Sequence, residues 1–174
     1  TGLVDEESPV GALDDDDSPE EFGAEFERYG PFKALCEGVV QEMYGERALV
    51  VRPGLIVGPH DPTGRFTYWP HRLARGGKVL APGPPERLAQ FIEVRDLAEG
   101  VVRLLEDGRY GLFHATSEGV AWSDLLSGAD VTWVTDEFLL SEGVGEWMEL
   151  PLWIADPAFA GMHLTDVSRA FAAG

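Results

Sequence analysis

The apolar residues of the chain follow two patterns, a helical spacing and short unbroken runs, and these predict alternating helices and strands. Four apolar side chains between residues 31 and 44 recur at helical spacing and mark one helix face: Leu35, Val39, Val40 and Met43. An unbroken apolar run follows at residues 48–51. Such a run is typical of a strand that is buried on both faces of a parallel sheet.

The same spacings divide the rest of the chain. Further helices are predicted at residues 66–75, 95–106 and 166–173, and further strands at 78–81, 91–94, 111–115 and 131–134. In the 95–106 helix, Asp96 is expected to be an N-terminal cap or a turn residue rather than a catalytic acid. Five side chains of that helix are expected to face inward: Leu97, Val101, Val102, Leu104 and Leu105. The alternation of strands and helices predicts an α/β fold with a mainly parallel sheet.

Composition narrows the class of protein. With 44% hydrophobic and 25% charged residues among 174, the chain has the composition of a globular domain. No apolar run is long enough to span a bilayer, and the first residues lack the features of a secretory signal, so a cytoplasmic protein is expected. The single cysteine, Cys36, excludes an internal disulfide, and the four histidines show no metal-ligand spacing, so no metal site is expected.

The charge is strongly negative and unevenly distributed. Thirteen Lys and Arg residues against 31 Asp and Glu residues give a net charge of −18, which disfavours nucleic acids and anionic membranes as partners. Five basic residues nevertheless gather in a stretch whose only acid is Glu86, and we call them the basic cluster: Arg65, Arg72, Arg75, Lys78 and Arg87. The cluster either contacts an anionic small ligand or consists of solvated side chains, and charge alone does not decide between these two interpretations.

The pair Tyr29 and Lys33 carries the candidate chemistry. The two residues are four apart, so they share one helix face, and Pro31 between them is tolerated only in a first helical turn. A nearby ammonium favours the phenolate form of a tyrosine, which can exchange a proton with an alcohol or a carbonyl. The spacing alone is weak evidence, since such a pair occurs by chance in most proteins of this size.

Three motifs in order make the pattern specific. YGPFK begins at Tyr29, RPGLIVGP begins at Arg52 directly after the apolar run, and QFIEVRDLA begins at Gln90. In this order they closely resemble the C-terminal half of the extended short-chain dehydrogenase/reductases, the NAD-dependent epimerase/dehydratase family. The resemblance covers about residues 29–116 and is much weaker beyond them. It implies a Rossmann-fold enzyme that binds NAD or NADP and oxidises or reduces a carbon–oxygen bond of a small-molecule substrate.

The resemblance also implies roles for individual residues. Tyr29 resembles the catalytic tyrosine that gives or takes the hydroxyl proton, and Lys33 resembles the lysine that favours its ionisation and holds the nicotinamide ribose. One turn matches the segment that lies beside the nicotinamide in relatives: Pro53, Gly54, Leu55 and Ile56. Without the family this turn is an ordinary strand-to-helix connection. Five side chains fall where relatives shape the substrate pocket: Arg65, Phe66, Tyr68, Trp69 and Arg87. The simpler interpretation of the tryptophans is packing.

The sequence departs from the family in two ways. No segment matches the glycine-rich dinucleotide fingerprint G-x-x-G-x-x-G, so the chain is expected to be the C-terminal piece of a longer enzyme and to be inactive alone. The expected organisation is an acidic loop or lid at residues 1–28, the end of a Rossmann fold at 29–116 and a small substrate-side region at 117–174. Nucleotide-sugar epimerases commonly have an Arg before an aromatic-Ile-His-Val segment, whereas this chain has AQFIEV from Ala89. This difference argues against a UDP-sugar substrate and leaves a reductase or dehydrogenase open; the choice between epimerase and reductase or dehydratase is not made by the sequence.

Two further expectations follow from the resemblance. The rival to an enzyme is a non-catalytic binding or regulatory module, because some members of the superfamily bind RNA. The intact Tyr29 and Lys33 pair and the charge of −18 argue against that rival. The helix after the pair often packs between subunits in relatives, so a homodimer is also an expectation.

Overall fold

The computed structural model describes residues 3–13 and 28–174. Most of the expected acidic loop therefore lies outside the described residues. The described part contains six α-helices: α1 Tyr29–Tyr44, α2 Tyr68–Ala74, α3 Val94–Glu106, α4 Trp122–Leu125, α5 Asp136–Ser141 and α6 Ser168–Ala173. Short 3₁₀ segments occupy Gly45–Arg47 and Pro157–His163. Among these helices none is long and apolar enough to cross a membrane.

The strands pair mostly in parallel, which confirms the predicted fold class. They are β1 Leu49–Pro53, β2 Leu55–Val57, β3 Lys78–Pro82, β4 Leu88–Ala89, β5 Phe91–Glu93, β6 Gly111–Ala115, β7 Val120–Ala121 and β8 Asp130–Val134. β1 pairs with β6, β2 with β5 and β3 with β8, all in parallel, whereas β4 and β7 are antiparallel. Parallel partners need crossover connections: α2 lies in the connection from β2 to β5, and both α2 and α3 lie in the connection from β1 to β6.

An aromatic core joins the middle of the chain to its C-terminal part. Trp69, Trp122 and Trp153 are fully buried, and the rings of Trp69 and Trp122 meet nearly edge to face, with centroids 4.7 Å apart. β3, which precedes residue 117, pairs with β8, which follows it. The core and this strand pair therefore both cross the boundary expected at residues 116 and 117.

Helix α1 contrasts with that core because none of its residues is buried. The apolar face predicted from its spacing is largely open, with Leu35, Val39 and Met43 all more than half exposed. An amphipathic pattern identifies the apolar side of a helix but not the surface that covers it.

Helix α3 decides between the two expectations for Asp96 and corrects the expected apolar face. Its N-terminal cap is Glu93, whose carboxylate accepts a hydrogen bond from the Arg95 backbone N–H at 2.7 Å, whereas Asp96 lies exposed in the first turn. Val102 and Leu105 are exposed rather than inward, because the helix covers its strands with a narrower stripe than five apolar positions suggest. The Glu93 carboxylate thereby satisfies one of the backbone N–H groups that have no partner within the helix.

The N-terminal segment is held against the C-terminal segment. Val4 bridges Thr165, and the buried Glu6 carboxylate accepts a hydrogen bond from the His114 backbone N–H at 3.0 Å. Arg169 lies 3.6 Å from Glu6 and donates to Glu7 at 2.9 Å. Residues before α1 and residues of α6 therefore form one side of the molecule together with β6.

Candidate active site

Tyr29 and Lys33 lie at the open start of α1. Tyr29 is the first residue of the helix, and Gly30 and Pro31 complete the turn that carries it. Pro31 fits there because the first backbone N–H groups of a helix have no partner within the helix. Tyr29 is 54% exposed and Lys33 is exposed as well, so a ligand can reach both side chains from solvent.

The Pro53–Ile56 turn connects two strands rather than a strand and a helix. β1 ends at Pro53, and β2 begins at Leu55 after the single residue Gly54. The Gly54 N–H donates to the Ala115 carbonyl at 2.9 Å. A Cβ atom on Gly54 would come within 2.4 Å of Thr116 Oγ1, so only glycine allows β1 to approach β6 this closely.

The segment that replaces the aromatic-Ile-His-Val pattern has a local structural role. Glu93 Oε1 accepts from Arg95 Nε at 3.0 Å, in addition to the carboxylate's cap on the helix. Burial acts to raise the pKa of Glu93, but the hydrogen bonds and charge of Arg95 outweigh it and hold that pKa below its usual value. Gly58, with φ of 117°, leaves room for this carboxylate, because a Cβ there would lie 2.6 Å from Glu93 Oε1.

The basic cluster is largely engaged by internal partners. Arg65 Nε donates to Thr63 Oγ1 at 3.1 Å, and its guanidinium lies 5.1 Å from the centre of the Trp147 ring. Arg72 donates to the Gly76 and Lys78 carbonyls. Arg75 and Lys78 are exposed. These neutral partners occupy hydrogen-bond donors without neutralising the charge, and within the described residues the ion pair of the cluster is that of Arg87 with Asp136.

The aromatic residues expected at the substrate pocket have different positions. Phe66 packs on Phe91 with ring centres 4.5 Å apart, and Tyr68 is partly exposed at the start of α2. Trp69 is a core residue and not a pocket wall, because it is fully buried and its indole N–H donates to the Pro151 carbonyl at 2.9 Å. Burial of a large aromatic ring with its N–H satisfied is a packing role.

Arg87 lies in a set of contacts that its sequence position does not reveal. Its Nη2 donates to Asp136 Oδ2 at 2.6 Å, and Asp136 Oδ1 accepts from Trp153 Nε1 at 2.9 Å. His163 lines the same cavity as Arg87, and the ring centre of Trp147 lies 6.4 Å from that of His163. These residues lie 49 or more positions from Arg87 in the sequence, so no local sequence pattern could have identified the contacts.

Three cavities are found among the described residues. One of about 410 Å³ is an apolar groove between α3 and α6 that includes Phe91 and Phe171. A second, about 370 Å³, is lined by Arg87 and His163, and a third, about 330 Å³, by Tyr68 and two members of the basic cluster. In the described part of the chain, no group of three or more His, Cys, Asp or Glu residues could hold a metal ion. Cys36 is a free, exposed thiol on α1.

Comparison with known proteins agrees with the motif order. The family model described as "NAD dependent epimerase/dehydratase family" matches residues 5–113. A dTDP-4-dehydro-6-deoxy-D-allose reductase of Streptomyces bikiniensis is 36% identical over 76 residues, which cover 40% of this chain and 23% of that protein.

Solved structures share the fold at low identity. A hypothetical dTDP-4-dehydrorhamnose reductase from Sulfolobus tokodaii matches with a TM-score of 0.52 at 22% identity, covering 93% of this chain and 52% of that one. A dTDP-glucose 4,6-dehydratase from Bacillus anthracis in complex with NAD matches with a TM-score of 0.53 at 15% identity, covering 99% of this chain and 56% of that one. The chain therefore spans about half the length of these solved relatives.

Proposed function

The chain belongs to the NAD dependent epimerase/dehydratase family, and from that premise we propose that it carries the catalytic acid/base of an NAD(P)-dependent oxidoreductase or epimerase. The reaction proposed is hydride transfer at a carbon–oxygen centre of a small-molecule substrate. The observation that supports it is the placement of Tyr29 and Lys33 one turn apart, both exposed, at the start of α1. The match to a family of enzymes and the presence of both residues of the proton-transfer pair favour this function over a non-catalytic binding module.

In the proposed reaction, Tyr29 transfers the proton and Lys33 stabilises the tyrosine's charged form. In the oxidative direction the substrate hydroxyl gives its proton to the Tyr29 phenolate oxygen while a hydride leaves the same carbon, and reduction reverses both transfers. Lys33 stabilises the phenolate through its ammonium charge. A bound nicotinamide ring would accept or supply the hydride. Tyr29 thus holds and moves the proton, and it sets the position of the reacting oxygen within hydrogen-bond distance.

The described residues fit one end of such a cofactor. The Lys33 ammonium has three donors, and its exposure leaves them able to hold ribose hydroxyls. The turn at Gly54 supplies an irregular stretch of backbone between β1 and β2, where family members place the nicotinamide. No glycine-rich phosphate-binding sequence occurs in these 174 residues, so the isolated chain is expected to bind NAD and NADP too weakly to measure and to be inactive.

The test is a comparison of two lysine variants in the NAD(P)-binding enzyme that contains these residues. Lys33→Met should weaken cofactor binding and lower kcat, because it removes both the donors and the charge. Lys33→Arg keeps the charge and should retain more of both. Cofactor affinity is measured by calorimetry and turnover by nicotinamide absorbance. Wild-type affinity and wild-type kcat in Lys33→Met would refute the assignment.

The cytoplasmic location and the homodimer stay predictions.

A further inference from the structure

An ion pair joins the helix that carries Tyr29 and Lys33 to the strand that precedes the Gly54 turn. Arg52 in β1 donates from Nε to Glu37 Oε1 at 2.9 Å and from Nη2 to Glu37 Oε2 at 2.6 Å. The two side chains are only 25% and 22% exposed. A guanidinium that holds a carboxylate by two bonds in partial burial fixes the geometry of both groups, unlike an exposed single contact.

Apolar packing does little to fix α1 on the sheet. None of the residues of this helix is buried, and Leu35, Val39 and Met43 are more than half exposed. A helix in a protein takes most of its stability from the burial of an apolar face, and within the described residues α1 lacks such a face. The two hydrogen bonds between Arg52 and Glu37 therefore have a large share in setting where α1 lies along β1.

The position of the ion pair sets the height of Lys33 above the strand. Glu37 lies seven residues before the end of α1, and Arg52 lies three residues after the start of β1. Each is therefore about 10 Å along its element from the connecting segment Gly45–Arg47, so helix and strand run in opposite directions with the pair at equal height. Lys33 lies one turn, about 6 Å, beyond Glu37, and Gly54 lies two residues, about 7 Å, beyond Arg52. The pair thus brings Lys33 to the level of the turn at Gly54.

Arg52 also occupies a carboxylate that would otherwise compete for Lys33. Glu37 follows Lys33 by four residues, the spacing at which a lysine and a glutamate of one helix can pair. Both Glu37 oxygens accept from Arg52 instead. A Lys33 ammonium that is not held by Glu37 keeps its donors for ribose hydroxyls and its charge for the Tyr29 phenolate.

A second carboxylate acts on Arg52 without replacing Glu37. The hydrogen bond to Glu37 raises the pKa of Arg52 despite partial burial, and the charge of Glu6 adds to the increase. Glu6 is buried and has partners of its own, the His114 backbone N–H at 3.0 Å and Arg169 at 3.6 Å. Removal of Arg52 therefore frees the Glu37 carboxylate, whereas Glu6 stays bound.

We propose that Arg52 is a positioning residue for the acid/base pair of Tyr29 and Lys33. By binding both oxygens of Glu37, it holds α1 on β1 with Lys33 at the level of Gly54, and it keeps the Glu37 carboxylate away from the Lys33 ammonium. Arg52 touches neither substrate nor cofactor in this role and acts through Glu37. This inference rests on the oxidoreductase function proposed above.

The first experiment needs neither cofactor nor turnover. Lys33 and Lys78 are the two lysines of the chain, so the side-chain NMR signals of the lysine-labelled 174-residue chain are assigned with Lys33→Met. Arg52→Gln should move the Lys33 signal, because the freed Glu37 carboxylate pairs with its ammonium, and Arg52→Gln/Glu37→Gln should return it toward the wild-type position. The Lys78 signal is the internal control and should not move.

Two results of this experiment would overturn the proposal. One is a Lys33 signal that is the same in wild type and Arg52→Gln, and the other is a shift that the double variant retains in full. Either result concerns Arg52 alone and leaves the assignment of Tyr29 and Lys33 to the kinetic tests of those residues.

The second experiment breaks the same ion pair from its two sides and measures cofactor affinity by calorimetry in the NAD(P)-binding enzyme. Arg52→Gln releases a carboxylate next to Lys33 and should weaken cofactor binding at least about tenfold, as expected for the loss of a charge-assisted hydrogen bond. Glu37→Gln releases no carboxylate and should lose less. For the same reason, Arg52→Gln/Glu37→Gln should bind at least about threefold more tightly than Arg52→Gln.

The controls separate this role from a merely structural one. Arg103→Gln removes an exposed ion pair with Glu99 on α3 and should bind the cofactor like wild type. Arg52→Lys keeps a charge for Glu37 and should lie between wild type and Arg52→Gln, and circular dichroism verifies that each variant folds. A merely structural ion pair predicts equal losses in Arg52→Gln and Glu37→Gln and no recovery in the double variant. That outcome, or wild-type affinity in Arg52→Gln, would overturn the proposal.

Discussion

The start of α1 and the aromatic core differ in what surrounds their side chains. On α1 no residue is buried and Met43 is 70% exposed, whereas Trp69, Trp122 and Trp153 are 0% exposed. The first of the three motifs that carry the family resemblance lies on α1, whereas most residues of the buried core cluster follow residue 116, where the resemblance is weaker. The motif residues that we propose to contact a ligand are accessible, whereas the core is built from large side chains whose exact identity is less diagnostic of a family.

The largest expected effect tests this contrast in stability. Trp122→Ala removes a fully buried ring packed on Trp69 and should lower the free energy of unfolding by about 3–5 kcal/mol. Met43→Ala on α1 should change it by no more than about 0.5 kcal/mol, since that side chain is largely exposed. Urea unfolding measures both. Equal losses in the two variants would mean that α1 is covered in solution.

A smaller effect is expected where β1 meets β6. Gly54→Ala places a Cβ 2.4 Å from Thr116 Oγ1 and should cost about 1–3 kcal/mol, because backbone and side chain must shift. The control is Gly100→Ala in α3, where a Cβ meets nothing within 4 Å and alanine should stabilise the helix by up to about 1 kcal/mol. If Gly54→Ala unfolded at the wild-type urea concentration, the close approach to Thr116 would not be a constraint.

Regular elements could be predicted from the sequence, but contacts over long separations could not. β6 has its predicted limits, and α1 begins two residues before its predicted start, because both follow from local spacing. β2 was missed because a single glycine separates it from β1. The proximity of Gln90 and His163, 73 residues apart, depends on tertiary packing, and no spacing along the chain predicts it.

A further stability effect concerns pH and His163. The folded ring resists protonation because its pKa is lowered from 6.5, whereas the unfolded ring accepts a proton normally. The unfolded state therefore binds more protons below about pH 6.5, so the free energy of unfolding should fall with decreasing pH by at most about 1.4 kcal/mol per unit. Urea unfolding between about pH 7.5 and pH 5.5 measures the slope. His163→Asn should remove most of it, and an unchanged slope in that variant would assign the pH dependence to other groups.

The most direct test of the central claim is the effect of Tyr29→Phe on activity and stability together. Phenylalanine keeps the ring but loses the exchangeable proton, and the side chain is 54% exposed, so the free energy of unfolding should change by no more than about 0.5 kcal/mol. In the NAD(P)-binding enzyme, kcat should fall by at least about 100-fold with cofactor affinity nearly unchanged. A Tyr29→Phe enzyme that keeps wild-type kcat on a substrate that the wild type converts would contradict the claim.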